Sequence, residues 1–150
     1  MIDDIDRKII EKLSKDGRLS LTELSEGTGI SRVAIASRIE KLENTGLLKI
    51  CAALNLEKLN YQTLLVELQV DKTKTIAFHK LVASNPKVLN CFEISGQFNH
   101  LLICTARNNQ NLRLFIENDL KKFSKDCRVT LSSNPMTPNF VPLKSLEEEW

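Results

Sequence analysis

Hydrophobic positions recur at helical spacing three times within the first fifty residues. Ile5, Ile9, Ile10 and Leu13, with Ile2 just ahead, predict a helix over 3–15, because residues three and four apart share one face of an α-helix. Asp3, Asp4 and Asp6 stand at its start, where the helix dipole favours negative charge, and Gly17 lies just past its end. Leu21 and Leu24 predict a second helix. Ser20 opens it, and Glu23 three residues later completes a pattern in which the two side chains satisfy backbone N–H groups that a first turn leaves unpaired. The run Gly27-Thr28-Gly29-Ile30 reads as a tight turn. Ser31 then caps a third helix, with Ile35, Ile39 and Leu42 on its inner face and Gly46 at its stop.

Beyond residue 50 the period changes. Residues 50–60 read as a strand and connector, with no Pro- or Ser-rich linker. Leu64, Val66, Leu68 and Val70 alternate as in a half-buried strand, and Phe78, Leu81 and Val82 place a helix over about 75–84 that Asn85-Pro86 ends. Strands are expected over 88–95 and 100–106, around a turn at Gly96-Gln97-Phe98. Leu112, Phe115, Ile116, Leu120 and Phe123 give a helix over 109–123, and 128–133 a last strand. This βαββαβ order is the ferredoxin-like split motif. The fold class is therefore α+β: a helix-turn-helix unit of winged type over 1–50, a connecting strand and linker over 51–60, and a ferredoxin-like unit over 61–150. The helices of such a unit lie on one face of its sheet. The tail over 134–150, with Pro135, Pro138 and Pro142, reads as extended and peripheral, so no segment remains to cover the other face. Homodimerisation, sheet against sheet, is the physical expectation.

Helix, tight Gly-containing turn and helix is the arrangement that sets its last helix in a DNA major groove. With Ile35, Ile39 and Leu42 inward, Val33, Ser37 and Lys41 lie opposite, flanked by Arg32 and Arg38. Ser31 and Ser37 can reach phosphates or base edges, Arg32 and Arg38 guanine or phosphate, and Lys41 a phosphate. Plain solvation also produces a helix with a charged outer face, so the face by itself leaves both readings open.

Charge narrows the choice. The 150 residues carry 21 Lys+Arg against 19 Asp+Glu, a formal charge of +2, which excludes association driven by a large uniform positive field. Residues 31–50, however, hold four basic residues (Arg32, Arg38, Lys41, Lys49) against two acidic ones (Glu40, Glu43). The basic excess sits on the third helix and the short segment after it. No apolar run approaches the roughly 18 residues of a membrane span, and the start MIDDIDRKII is acidic where a secretory signal is basic and then apolar. A cytoplasmic location with no membrane partner is expected. Cys51, Cys91, Cys104 and Cys127 show no C-x-x-C spacing, and His79 and His100 do not complete a ligand cluster, so reduced structural thiols and no metal are expected. Without a Gly-rich phosphate loop, nucleophile elbow or metal triad, no catalytic residue, no enzyme activity and no cofactor are expected.

DRKIIEKLSKDGRLSLTELSEGTGISRVAIASRIEKLENTGLLK, succeeded by a βαββαβ unit with S-G-Q-F-N between its middle strands, resembles the Lrp/AsnC (feast/famine) family of transcription regulators over nearly the whole chain. The telling pieces are Asp6, Asp16-Gly17-Arg18, Leu24-Ser25, Gly29-Ile30-Ser31, Arg38-Ile39 with Leu42-Glu43, and Gly46-Leu47. The resemblance implies a homodimer, often assembled into an octamer, that binds and wraps double-stranded DNA and responds to a small effector, usually an amino acid. It further implies an effector site between dimers, around the loop Gly96, Gln97, Phe98 and Asn99, with contacts from the last strand at Thr130 and Ser132.

The family loop often reads G-D-[FY]-D, whereas this chain has Gln97 and Asn99 at the acidic positions. Two amides hydrogen-bond but do not attract an ammonium group, so an effector with an amide or hydroxyl side chain is expected, with glutamine first. Two alternatives use the same architecture: a siroheme-decarboxylase-like enzyme, for which His79 and His100 are the histidines available, and an amino-acid sensor acting through protein partners.

Overall fold

The structure, a computed structural model, describes residues 2–132 and 140–142, without the side chain of Lys125. The chain divides into two compact units, Met1–Ala52 and Ala53–Trp150.

The first unit is three helices: α1 (Asp4–Lys15), α2 (Leu21–Thr28) and α3 (Arg32–Asn44). Each begins where a short polar side chain accepts a backbone N–H three residues on: Asp3 from Asp6, Ser20 from Glu23 and Ser31 from Ala34. At α1 and α2 the bond is reciprocated, Asp6 and Glu23 accepting from the cap residue's own N–H. Ile9, Leu13, Leu24 and Ile35 form the buried core of the unit, with Ile5, Leu19, Ile30, Ile39 and Leu48 packed around it. The turn is tighter than the glycine run suggests. α2 continues through Gly27 and Thr28, and Gly29 alone, at φ +77°, takes the left-handed conformation that ends it.

The strand expected over 50–60 shrinks to β1 (Leu54–Asn55), which pairs with β6 (Phe140–Val141) and lies in the second unit. Among the described residues no wing hairpin comes after α3. Leu56 is fully buried, and Tyr61 donates its N–H back to the Leu56 carbonyl, so the connector is folded. Part of the tail is strand rather than simply peripheral; Pro135 and Pro138 lie outside the described residues.

The second unit contains β2 (Gln62–Val70), α4 (Thr75–Ser84), β3 (Val88–Glu93), β4 (His100–Ala106), α5 (Asn109–Phe115) and β5 (Ser124–Leu131). The four strands form one antiparallel sheet in the order β3-β4-β2-β5, the ferredoxin-like arrangement expected. Leu64, Val66, Leu68 and Val70 point to one face, where Phe78, Val82, Leu102, Leu112, Phe115 and Leu120 complete a single core. Three boundaries differ from the periodicity, the first being β3, which ends at Glu93 and not at the expected 95. A π-turn over Ile116–Leu120 interrupts the fifth helix, and β5 starts four residues before the expected Arg128. Ser124 to Cys127 carries no apolar alternation because β5 is an edge strand whose register with β2 shifts between Leu68 and Val70.

Both α4 and α5 pack on the core face of the sheet, so among the described residues of this unit no helix covers the opposite one. Strand register puts Leu65 opposite Ile103 and Thr130, and Leu101 opposite Glu67 and Phe92, on this open side. Leu65 is 39% and Phe92 48% exposed, a larger opening to water than isolated apolar side chains make.

Candidate DNA-binding and effector surfaces

On α3, Ser31, Arg32, Val33, Ser37 and Lys41 are exposed, as the helical wheel requires once Ile35 and Leu42 are buried. Val33 is 80% exposed, an isolated apolar side chain on an otherwise polar face, and suits contact with a thymine methyl group. The Ser31 hydroxyl already accepts the Ala34 N–H, which leaves its O–H and one lone pair for a further partner. Arg38 departs from expectation. Its Nη1 donates to Asp3 Oδ2 at 2.6 Å and Asp6 Oδ1 at 2.7 Å, which commits this nitrogen to α1 before any phosphate arrives. The Asp6 N–H, then the Arg38 guanidinium, hold the Asp3 carboxyl below the usual carboxylate range.

The loop between β3 and β4 is built around Asn99. Its Oδ1 accepts from the Val70 N–H at 2.8 Å and its Nδ2 donates to the Val70 carbonyl at 2.8 Å, so the side chain imitates a strand neighbour at the end of β2. Its own N–H donates to the Leu68 carbonyl. An amide so engaged is a clamp for the loop, not the ligand reader expected of it. Phe98 is 6% exposed and lies beneath Arg128, whose guanidinium carbon is 5.0 Å from the ring centroid. Arg128 also forms a two-point pair with Glu67, Nε to Oε2 at 2.6 Å and Nη2 to Oε1 at 3.1 Å. Gly96 (φ +133°) and Gln97 remain exposed at the loop's tip, and Thr130 and Ser132 are exposed on and just after β5. Phe98 thus meets the last strand through Arg128, a contact the sequence does not announce; the opposed Glu67-Arg128 register is the only signal for it, and it depends on knowing the strand pairing.

The two histidines, expected from sequence to complete no ligand cluster, adjoin each other and Glu93. His79 on α4 and His100 at the start of β4 have their Nε2 atoms 3.2 Å apart, and Glu93 Oε1 lies 3.9 Å from His79 Nε2. His100 is buried, and burial first, then His79, lowers its pKa below the usual imidazole range, with Glu93 opposing. Of the four cysteines, Cys104 is buried, Cys91 and Cys127 are half-buried and Cys51 is exposed, and none is joined to another by a disulfide. No helix among the described residues is long and apolar enough to cross a membrane.

Comparison with known proteins matches both units. Residues 2–43 fit the AsnC-type helix-turn-helix domain, and residues 63–134 the Lrp/AsnC ligand binding domain. The transcriptional regulator LrpA of Bacillus subtilis is 33% identical over 125 residues, covering 81% of this chain and 91% of its own. Among solved structures, a transcriptional regulator of Neisseria meningitidis in complex with L-methionine superposes with a TM-score of 0.78 at 24% identity, over 98% of this chain and 97% of its own. The leucine response regulatory protein of Mycobacterium tuberculosis gives 0.81 at 23%, over 90% and 94%.

Proposed function

Because the chain belongs to the Lrp/AsnC family of transcription regulators, with a DNA-binding helix-turn-helix and a small-molecule-binding domain, we propose how each half does its work. Ser31, Arg32, Val33, Ser37 and Lys41 of α3 enter the major groove of double-stranded DNA, Val33 and Ser37 reading base edges and Lys41 neutralising phosphate. Arg38 holds α3 against α1 in this reading. The open sheet face of one chain covers that of another, and the resulting homodimers associate further, up to an octamer. With a net charge of only +2, one recognition helix gives modest affinity. Several on one DNA make each added contact intramolecular, and assembly supplies the occupancy.

The effector is an amino acid with a neutral polar side chain, glutamine first, held by the Gly96-Gln97 tip together with Thr130 and Ser132. The observation that supports this reading most is the Phe98-Arg128 contact, which ties the loop to the strand carrying Thr130. A ligand on the loop then shifts the edge strand and, through it, the contact between dimers. Phe98 and Asn99 support the site from beneath. The Neisseria protein of the same fold forms a complex with L-methionine, an amino acid with an uncharged side chain, which supports looking among uncharged amino acids. Calorimetry against all twenty amino acids, paired with footprinting on the chain's own promoter region with and without glutamine, tests the proposal. Binding only of aliphatic or basic ligands, or of none, sinks the glutamine assignment, and a footprint that glutamine leaves unchanged removes it as the effector.

A further inference from the structure

From the juxtaposition of His79, Glu93 and His100 we infer a binding site for a divalent transition-metal ion of zinc type. Their ligand atoms all lie within 4.8 Å of one another, drawn from three elements: α4, the end of β3 and the start of β4. The 3.2 Å between the two Nε2 atoms is close to what a tetrahedral ion demands, since two zinc–nitrogen bonds of about 2.0–2.1 Å at the tetrahedral angle separate their nitrogens by about 3.3 Å. Glu93 Oε1 lies 3.9 Å from His79 Nε2 on an exposed side chain, which leaves it free to turn toward an ion.

The surrounding hydrogen bonds prepare one ligand for the ion. Asn99 Oδ1 accepts from the Val70 N–H while its Nδ2 donates to the Val70 carbonyl, and this pair fixes which end of the amide is oxygen. His100 Nδ1, 2.8 Å from that oxygen, must therefore carry the imidazole proton and donate it. In neutral His100 the lone pair is consequently on Nε2, aimed at His79. In the metal-free protein His79 donates its Nε2–H to that lone pair. An exposed imidazole moves its proton to the other ring nitrogen readily, and an ion set off the line between the two Nε2 atoms then takes a lone pair from each ring. An imidazole oriented by an amide or carboxylate on its far nitrogen is the usual support of a metal-bound histidine. Phe78 holds the His100 ring from another side, edge to face at 4.9 Å between centroids.

Two imidazoles and one carboxylate favour zinc and its first-row neighbours over calcium or magnesium, which take oxygen ligands throughout. Three protein ligands leave a fourth position for water or for a small ligand. A cleft of about 410 Å³, lined by His79 and Glu93 with Val82, Val88 and Cys91 among others, gives the ion its way in. The same Asn99 that orients His100 clamps the loop to Val70, so an ion on His100 stiffens that loop from behind.

The test is titration of the EDTA-treated full-length chain with Zn²⁺ by calorimetry and with Co²⁺ by visible absorption. His79→Ala and Glu93→Ala serve as the main variants because both side chains are exposed and their loss leaves the core intact. The wild-type chain should bind one more ion than His79→Ala, and Glu93→Ala should weaken that ion at least tenfold. Asn99→Ala should weaken it about 10–100-fold by releasing the imidazole, an effect of losing the outer hydrogen bond. No uptake by the wild-type chain at micromolar metal overturns the site, as does uptake unchanged in both His79→Ala and Glu93→Ala.

Discussion

Arg38 and Asp6 meet at 2.7 Å across two helices, with Asp3 at 2.6 Å from the same Nη1, so one cation closes the first turn of α1 onto the middle of α3. Asp6 is buried within the three-helix unit, and Asp3 is the N-cap of α1, so the arginine finishes a capping box as well as an ion pair. A residue that sequence places on the flank of a DNA-reading face therefore has its first task inside the fold.

Arg38→Ala and Lys41→Ala should consequently fail in different ways. Arg38→Ala leaves two carboxylates facing each other without their cation, so it lowers the melting temperature of the N-terminal unit and weakens DNA binding as a result. Lys41→Ala should leave thermal unfolding unchanged. Its loss of one phosphate contact per recognition helix should flatten the slope of log affinity against log salt by about 0.9 for each helix on the DNA. Fluorescence anisotropy across a salt series, alongside thermal melts, separates the two; an unchanged slope in Lys41→Ala removes it from the phosphate backbone.

The same contact gives the N-terminal unit an acid-labile element. Asp3 has its pKa lowered by the Asp6 N–H and then by Arg38, so the folded chain prefers the charged carboxylate more than the unfolded chain does. The stabilisation is therefore fully present above the unfolded value near 3.8 and is lost as pH falls through the lower folded value. Asp3→Asn, which retains a capping oxygen without the charge, should be less stable than wild type at neutral pH. The two should converge as pH falls below the lowered folded value, where the Asp3 carboxyl is protonated in both states. Urea titrations monitored by circular dichroism check this; parallel curves down to acid pH would exclude the ion pair as the cause.

The units and their order were legible from sequence because they rest on local chemistry. Asp3, Ser20 and Ser31 cap the helices they were expected to open, and Leu64 to Val70 alternates into a sheet core as its pattern required. What escaped depends on contacts distant along the chain. Arg38 reads as an exposed base until Asp3 and Asp6, more than thirty residues away, are brought beside it. Asn99 reads as a ligand-facing amide until Val70 is found to occupy both its ends. His79, Glu93 and His100 show no motif spacing because a helix and two strands each supply one. The early start of β5 escaped for another reason: an edge strand needs no second apolar face, so Ser124 to Cys127 carries no alternation to read.

The open sheet face yields a prediction about assembly. Leu65 sits at the middle of β2, opposite Ile103 on one side and Thr130 on the other, and is already partly exposed in the single chain. Leu65→Asp therefore removes little from the folded subunit but places a charge at the centre of the proposed dimer contact, where an unpaired carboxylate is costly to desolvate. Sedimentation velocity should show the wild-type chain as a dimer or higher assembly and Leu65→Asp as a monomer with unchanged circular dichroism. DNA affinity should fall by a factor of at least ten, as the second recognition helix is lost. A variant that sediments like wild type would mean that another surface joins the subunits.

Asn99 and Gln97, two amides two residues apart in one loop, should separate stability from ligand reading. The Asn99 side chain pairs both backbone groups of Val70, which is 2% exposed, so Asn99→Ala strands a buried N–H and a buried carbonyl. Leaving such groups unpaired costs about 1–3 kcal/mol, and the urea midpoint should drop accordingly. Gln97 is exposed, and Gln97→Ala should alter stability by less than about 0.5 kcal/mol. Its effect should fall instead on glutamine binding, with a loss of about five- to tenfold for one neutral hydrogen bond of roughly 1 kcal/mol or slightly more. Denaturation and calorimetry on the two variants decide the matter: if Gln97→Ala binds every amino acid as wild type does, the loop tip is not where the effector's side chain is read.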